Sequence, residues 1–188
     1  MPLLKDKFFK IKAIFISSII DKINKANILF QNQSLEIDQL LMLMNKLIKE
    51  IAELFLKISM IPEDISLLYD SNWNDNDDFL RDNDNLLVTL AREFNNETFL
   101  EILQLEDFER KTNLITYFRS FLQLLLKKLL HYLPIKDQII KSFSFLSLNE
   151  DKDEIKSKIL FFNKTYNIIS EENENFIIQE INELFSKN

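Results

Sequence analysis

EDFERKTNLITYFRSFLQLLLKKLLHYLPIKDQIIKSFSFLSL, residues 106–148, is the stretch whose reading decides the fold. Phe108, Leu114, Ile115, Phe118, Phe121, Leu122, Leu125, Leu129 and Leu133 recur at spacings of three and four, which places them on one face of an α-helix. Leu124, Leu126 and Leu130 widen that face until most of the circumference is apolar. A helix of this kind is buried on several sides, so the segment is expected to be the central helix of its domain. Pro134 ends it, because the ring clashes with the preceding turn and the residue has no N–H to donate. Asp137 and the apolar residues after it are expected to open a shorter helix.

Working outward, the flanking segments have the same period. Phe8, Ile11, Phe15, Ile19 and Ile23 make a stripe on a first helix over about 5–30, with Leu29 or Phe30 extending it. Ser34 follows a polar tract as a candidate N-cap. A second helix over about 35–58 has a near-heptad seam from Ile37 through Met44, Ile48 and Ile51 to Ile58. The short gap makes the two helices antiparallel neighbours; the competing reading of the seam is an intermolecular coiled coil. Pro62, Glu63 and Asp64 read as the start of a short helix to Tyr69. Residues 70–85 read as an exposed acidic loop, in which Trp73 is expected to pin the loop to the core. Short helices are predicted over 86–94 and 97–105. Two more, over 152–166 (Ile155, Ile159, Phe162 and Tyr166 in register) and 171–185, are predicted as a closing hairpin with Ser170 as N-cap.

Composition narrows the class. The chain has 188 residues, 46% of them hydrophobic and 17 of them Phe, enough for a real core. It has no Gly, no Cys and three Pro. Turns that need positive φ must therefore use Asn or Asp, and Gly-rich phosphate loops, disulfides and thiolate metal sites are excluded. The expectation is an all-α, single-domain irregular helical bundle of six to eight helices over residues 1–188.

Three stretches of this sequence resemble a known family when taken together. Phe118-Arg119-Ser120-Phe121, the Leu run around Lys127-Lys128, Leu133-Pro134 and then Ile139-Ile140-Lys141 with a Ser144-Phe145-Leu146 close look like hAT-type transposase sequence. NILFQNQSLEIDQLLMLMNKLIKEIAELFLK at 27–57 and KSKILFFNKTYNIISEENENFIIQEINELF at 156–185 match the same region in the same order. The resemblance covers mainly residues 27–185. It implies the all-helical region inserted into an RNase H-like catalytic domain, a region that in the family helps to hold transposon DNA. The family's chemistry needs three carboxylates that bind two metal ions. Neither the strands that bear the first two nor the segment that bears the third is found here, and the zinc-finger start is missing too. The resemblance thus implies a truncated, non-catalytic fragment with residual DNA binding, and a nuclear location within the cell. The competing reading is a helical protein–protein interaction module unrelated to transposition.

Candidate chemistry is sparse. His131 is the sole histidine and falls in the last turn of the central helix, where it suits the dipole. Glu36 and Asp38, and Asp151, Asp153 and Glu154, fall at helix starts for the same electrostatic reason. Asp75, Asp77, Asp78, Asp82 and Asp84 offer hard oxygen ligands but lack the EF-hand spacing, with no Gly at the turn and no closing Glu. No catalytic residue, cofactor or metal site is expected, and the chain is not expected to be an enzyme.

Charge is unevenly spread within a net −7. Residues 63–109 hold 14 acids against two Arg, a balance of −12, whereas 110–145 hold seven Lys or Arg against one Asp, a balance of +6. Arg119, Lys127, Lys128 and Lys141 are therefore the candidate nucleic-acid contacts. The plainer alternative is that they rim an apolar helix and are neutralised by the acidic region. Exposed apolar faces would instead favour a protein partner or self-association. The basic start followed by Ala13–Ile20 lacks a small-residue cleavage site, and no apolar run approaches the roughly 18 residues that cross a bilayer. An intracellular protein without a membrane association is expected.

Overall fold

The computed structural model describes residues 7–31, 37–71, 73, 77–137, 152–166 and 170–186. The fold is all-α, with seven α-helices among the described residues. These are α1 (Lys7–Phe30), α2 (Ile37–Phe55), α3 (Asn83–Glu93), α4 (Thr98–Glu101), α5 (Phe108–Tyr132), α6 (Lys152–Tyr166) and α7 (Glu171–Ser186). Three 3-10 turns, Ile58–Met60, Ile65–Tyr69 and Asp77–Phe79, lie between α2 and α3. Contacts group the chain into two compact units, one drawn from 1–33 with 43–133 and the other from 34–42 with 134–188.

In the first unit the core is built on α5. Leu114, Ile115, Phe118, Leu122, Leu126 and Leu130 are its buried residues. Phe118 stacks at 4.5 Å between ring centroids on Phe15 of α1, which also meets Phe94, Tyr117 and Phe121. Ile11, Phe15 and Ile19 form the buried stripe of α1, as its spacing predicts, while Ile23 is half-buried and Leu29 is exposed. The apolar stripe of α5 is narrower than its sequence suggests. Phe108 is 79% exposed and Leu124 57%, the first because the opening turn of α5 lies beyond the packed stripe. Asp107 caps that turn, accepting a 3.0 Å hydrogen bond from the Arg110 N–H.

The seam of α2 is consumed inside the chain. Met44, Leu47, Ile48, Ile51, Ala52, Leu54 and Phe55 are all buried. Lys22 of α1 meets Glu50 at 2.9 Å, and Leu29 and Leu43 line one cavity between the same helices, which is the expected antiparallel order. The helix stops at Phe55, three residues before its predicted end. A short antiparallel bridge takes over there, pairing Leu56 with Leu80 through Lys57 N–H to Phe79 O at 2.8 Å and Arg81 N–H to Phe55 O at 2.9 Å. Ile58 is left 64% exposed as a result.

The segment after Pro62 is a 3-10 turn and not an α-helix. Asp64 caps it by accepting from Ser66 N–H at 2.9 Å. Trp73 pins the following stretch, as expected. Its indole is buried, donates from Nε1 to Leu68 O at 2.8 Å and meets Phe55 edge-on at 5.9 Å. The acidic loop is shorter than predicted, because Asp82 caps α3 and starts it at Asn83. α3 ends on Asn95 at φ 48°, with Asn95 N–H to Arg92 O and Asn96 N–H to Ala91 O. This is a Schellman closure made by Asn, as a chain without Gly requires. α4 is one turn, and three-residue hydrogen bonds carry the chain on to Leu105.

In the second unit α6 and α7 pack on each other as the predicted hairpin. Ser170 caps α7, accepting from Asn173 N–H at 3.4 Å. Ile155, Ile159 and Asn163 are buried. The predicted Ser34 cap, the short helix after Asp137, and the side chains of Phe162 and Tyr166 lie outside the described residues.

Truncating Phe118 to Ala removes the ring on which Phe15 stacks, with an expected loss of about 3–5 kcal/mol. The Phe15→Ala, Phe118→Ala pair should cost less than the sum of the two, because both empty one cluster. Urea unfolding of the four chains measures both. The Asp82 carboxyl is held below the ordinary carboxylate value first by the Asn85 backbone N–H and then by its side-chain amide. A depressed folded-state pKa contributes stability that is present above the unfolded value of 3.8 and is lost as pH falls through the folded one. Denaturation midpoints taken from neutral pH down to about pH 2 should therefore fall more steeply for the native chain than for Asp82→Ala.

Candidate nucleic-acid interface

The outward side of α5 has a stripe of its own. Leu124, Lys127, Lys128 and His131 are spaced three, four and seven apart, so they share a face. They form one wall of an open groove of about 650 Å³, with Leu130 at its base. The opposite wall is Tyr69, Ser71 and Trp73, from the end of the 3-10 turn and the residues after it. That wall is held by one carbonyl, since Leu68 O accepts both from Ser71 Oγ at 3.0 Å and from Trp73 Nε1 at 2.8 Å.

Lys127, Lys128 and His131 are exposed, and none of them has a carboxylate within ion-pair distance among the described residues. Four acids of the 63–109 stretch pair with other cations. Glu101 pairs with Lys7 at 2.7 Å and Asp84 with Lys111 at 4.0 Å, and Glu93 and Asp107 pair with Arg92 and Arg110. These pairs fall on α1, the end of α3 and the first turns of α5. Tyr132 flanks the cations, with Lys128 Nζ 5.7 Å from its ring centroid and the His131 ring at 4.9 Å. A groove with cations on one wall and an exposed Tyr69 on the other matches an anionic, partly aromatic ligand.

The structure brings together two of the four residues that the sequence singled out. Arg119 is turned into the protein. Its Nη2 donates to Arg81 O at 2.6 Å, and burial pushes the guanidinium pKa down while Asp77 and Asp82 hold it up. It therefore ties α5 to the chain ahead of α3, and it lines a different cavity from the two lysines. Lys141 lies outside the described residues. Tyr69 and His131 were missed as groove residues. His131 was legible as the i+4 neighbour of Lys127, whereas nothing local places Tyr69 across from α5. Among the described residues no group of three or more His, Asp or Glu could hold a metal ion, and no described helix is long and apolar enough to cross a membrane.

Comparisons with known proteins match this chain to no family model, no curated protein and no solved structure.

Trp73 is the sole tryptophan, so its emission reports the groove wall directly. Native emission should be blue-shifted and resistant to iodide quenching. Trp73→Phe, which keeps a ring but loses the bond to Leu68 O, should lower stability by about 1 kcal/mol in denaturant titrations followed by circular dichroism.

Proposed function

We propose that this chain is a non-catalytic helical module, similar to the insertion region of hAT-type transposases, that holds nucleic-acid backbone through Lys127, Lys128 and His131. The observation that carries the reading is a pair of exposed lysines with no acid partner among the described residues, set in a groove bordered by Tyr69 and Tyr132. Lysines in this setting release counterions when they meet phosphates, which is the main source of sequence-independent affinity. Among the described residues no carboxylate lies within ion-pair distance of either lysine. The resemblance in residues 27–57, 106–148 and 156–185 supports duplex DNA as the first ligand to test.

A second reading rests on a separate observation. Leu124, Tyr69 and Tyr132 are each about half or more exposed, which favours a protein partner over nucleic acid at the same face.

Fluorescence anisotropy of labelled duplex DNA at low and moderate salt tests the first reading. Binding at micromolar or tighter concentration is expected, weakening steeply with salt. The Lys127→Ala, Lys128→Ala double variant should weaken it about equally for unrelated sequences and flatten the salt slope by about two phosphate contacts. Absence of binding at low salt would overturn the nucleic-acid reading in favour of a protein partner.

A further inference from the structure

A second cluster of cations lies away from the groove. Lys57 just after α2, Arg81 ahead of α3 and Arg119 on α5 converge on a cavity of about 440 Å³, together with Asp77 and Asp82. The cavity owes its shape to backbone pairing. The Leu56–Leu80 bridge sets Lys57 across from Phe79 and Arg81 across from Phe55, and both cations line the cavity. Arg81 Nε then donates to Glu53 O at 3.2 Å, near the end of α2, and Arg119 Nη2 donates to Arg81 O. Two guanidinium groups are thereby fixed by main-chain carbonyls and not by carboxylates.

The donors in this cavity outnumber its acceptors. Each guanidinium has five N–H groups and no acceptor. Arg119 Nε is shielded from solvent and finds no hydrogen-bond partner. Of the two carboxylates, Asp82 is already committed to the Asn85 N–H and amide at the start of α3. Neither Asp77 nor Asp82 lies within ion-pair distance of Lys57, Arg81 or Arg119 among the described residues. The start of α3 is capped by its own Asp82 and adds no open N–H argument. What remains is an excess of planar, pre-positioned donors over two carboxylates, Asp77 and Asp82, which support the Arg119 charge without lying within ion-pair distance of it among the described residues.

We propose that this cavity binds a tetrahedral oxyanion of the phosphate class, presented either as free phosphate or as the terminal phosphate of a nucleic acid. Guanidinium groups recognise such an anion by paired N–H donors, with Lys57 adding a mobile charge from the exposed side. The site stands apart from the groove on α5 and does not depend on that groove binding DNA.

Isothermal titration with inorganic phosphate, at ionic strength held constant with chloride, tests it on the full chain. Saturable binding with one equivalent is expected. Lys57 is exposed and makes no described side-chain contact, so Lys57→Ala should fold normally and weaken phosphate about tenfold. Asp77→Asn should tighten it, because a like charge leaves the rim. An Asp77 that served instead as the internal partner of Arg119 would make Asp77→Asn lower the unfolding midpoint without tightening phosphate, and that result overturns the proposal. So does the absence of saturable binding, or an unchanged affinity in Lys57→Ala. Competition by a 5′-phosphorylated oligonucleotide, but not by its unphosphorylated form, would identify the terminal phosphate as ligand. Phosphate binding without that competition would identify the free ion; both outcomes support an oxyanion site. Loss of DNA binding in the Lys127, Lys128 variant with phosphate binding retained would keep the two sites distinct.

Discussion

The stacking of Phe15 on Phe118 is the contact from which the larger unit is organised. Both rings are fully buried, and Phe94, Phe99, Tyr117 and Phe121 close around them in edge-on or tilted arrangements. Ring pairs of this kind add directional preference to a large buried area. They fix how α1 lies on α5, because a rotation of either helix by one position would take Phe15 off the ring it faces. The rest of the α5 stripe, Leu122, Leu126 and Leu130, continues that packing toward the helix end. Its opposite side is freed for Lys127, Lys128 and His131.

The absence of glycine shapes everything between the helices. Each chain reversal must be made with residues that pay a steric cost at positive φ or avoid it. The fold uses Asn95 for the one described left-handed closure, and otherwise relies on acid caps. Asp64, Asp82 and Asp107 each accept a backbone N–H at the start of a 3-10 or α-helical segment. This accounts for much of the acidity between residues 63 and 109, since caps and surface pairs engage several of those carboxylates.

Between α2 and α3 the chain departs most from a simple bundle. Three 3-10 turns and a single β-bridge replace the helices that periodicity alone would extend. Ser71 and Trp73 meet Leu68 O of the second turn, Arg119 meets Arg81 O just after the bridge, and Arg81 reaches back to Glu53 O near the end of α2. Side chains thus complete the hydrogen bonding that irregular backbone lacks. In doing so they shape the wall of the α5 groove and bring three cations to one cavity.

The helical class, the positions of α1, α5, α6 and α7, the Asn-based turn and the pinning role of Trp73 were legible in the residues themselves. Each follows from a local rule, namely period, capping chemistry or the steric limits on φ. The fates of Arg119, Phe108 and the end of α2 were not legible. Arg119 and Lys127 are both cations on one helix, and nothing in the sequence says that a carbonyl 38 residues earlier takes one and leaves the other in solvent. Nor does the pattern around Leu56 reveal that Leu80 will pair with it. Periodicity determines which side of a helix is apolar, because that depends only on neighbours three and four positions away. Which cation is buried and which faces a ligand depends on partners brought in from distant segments, and the tertiary structure alone decides that.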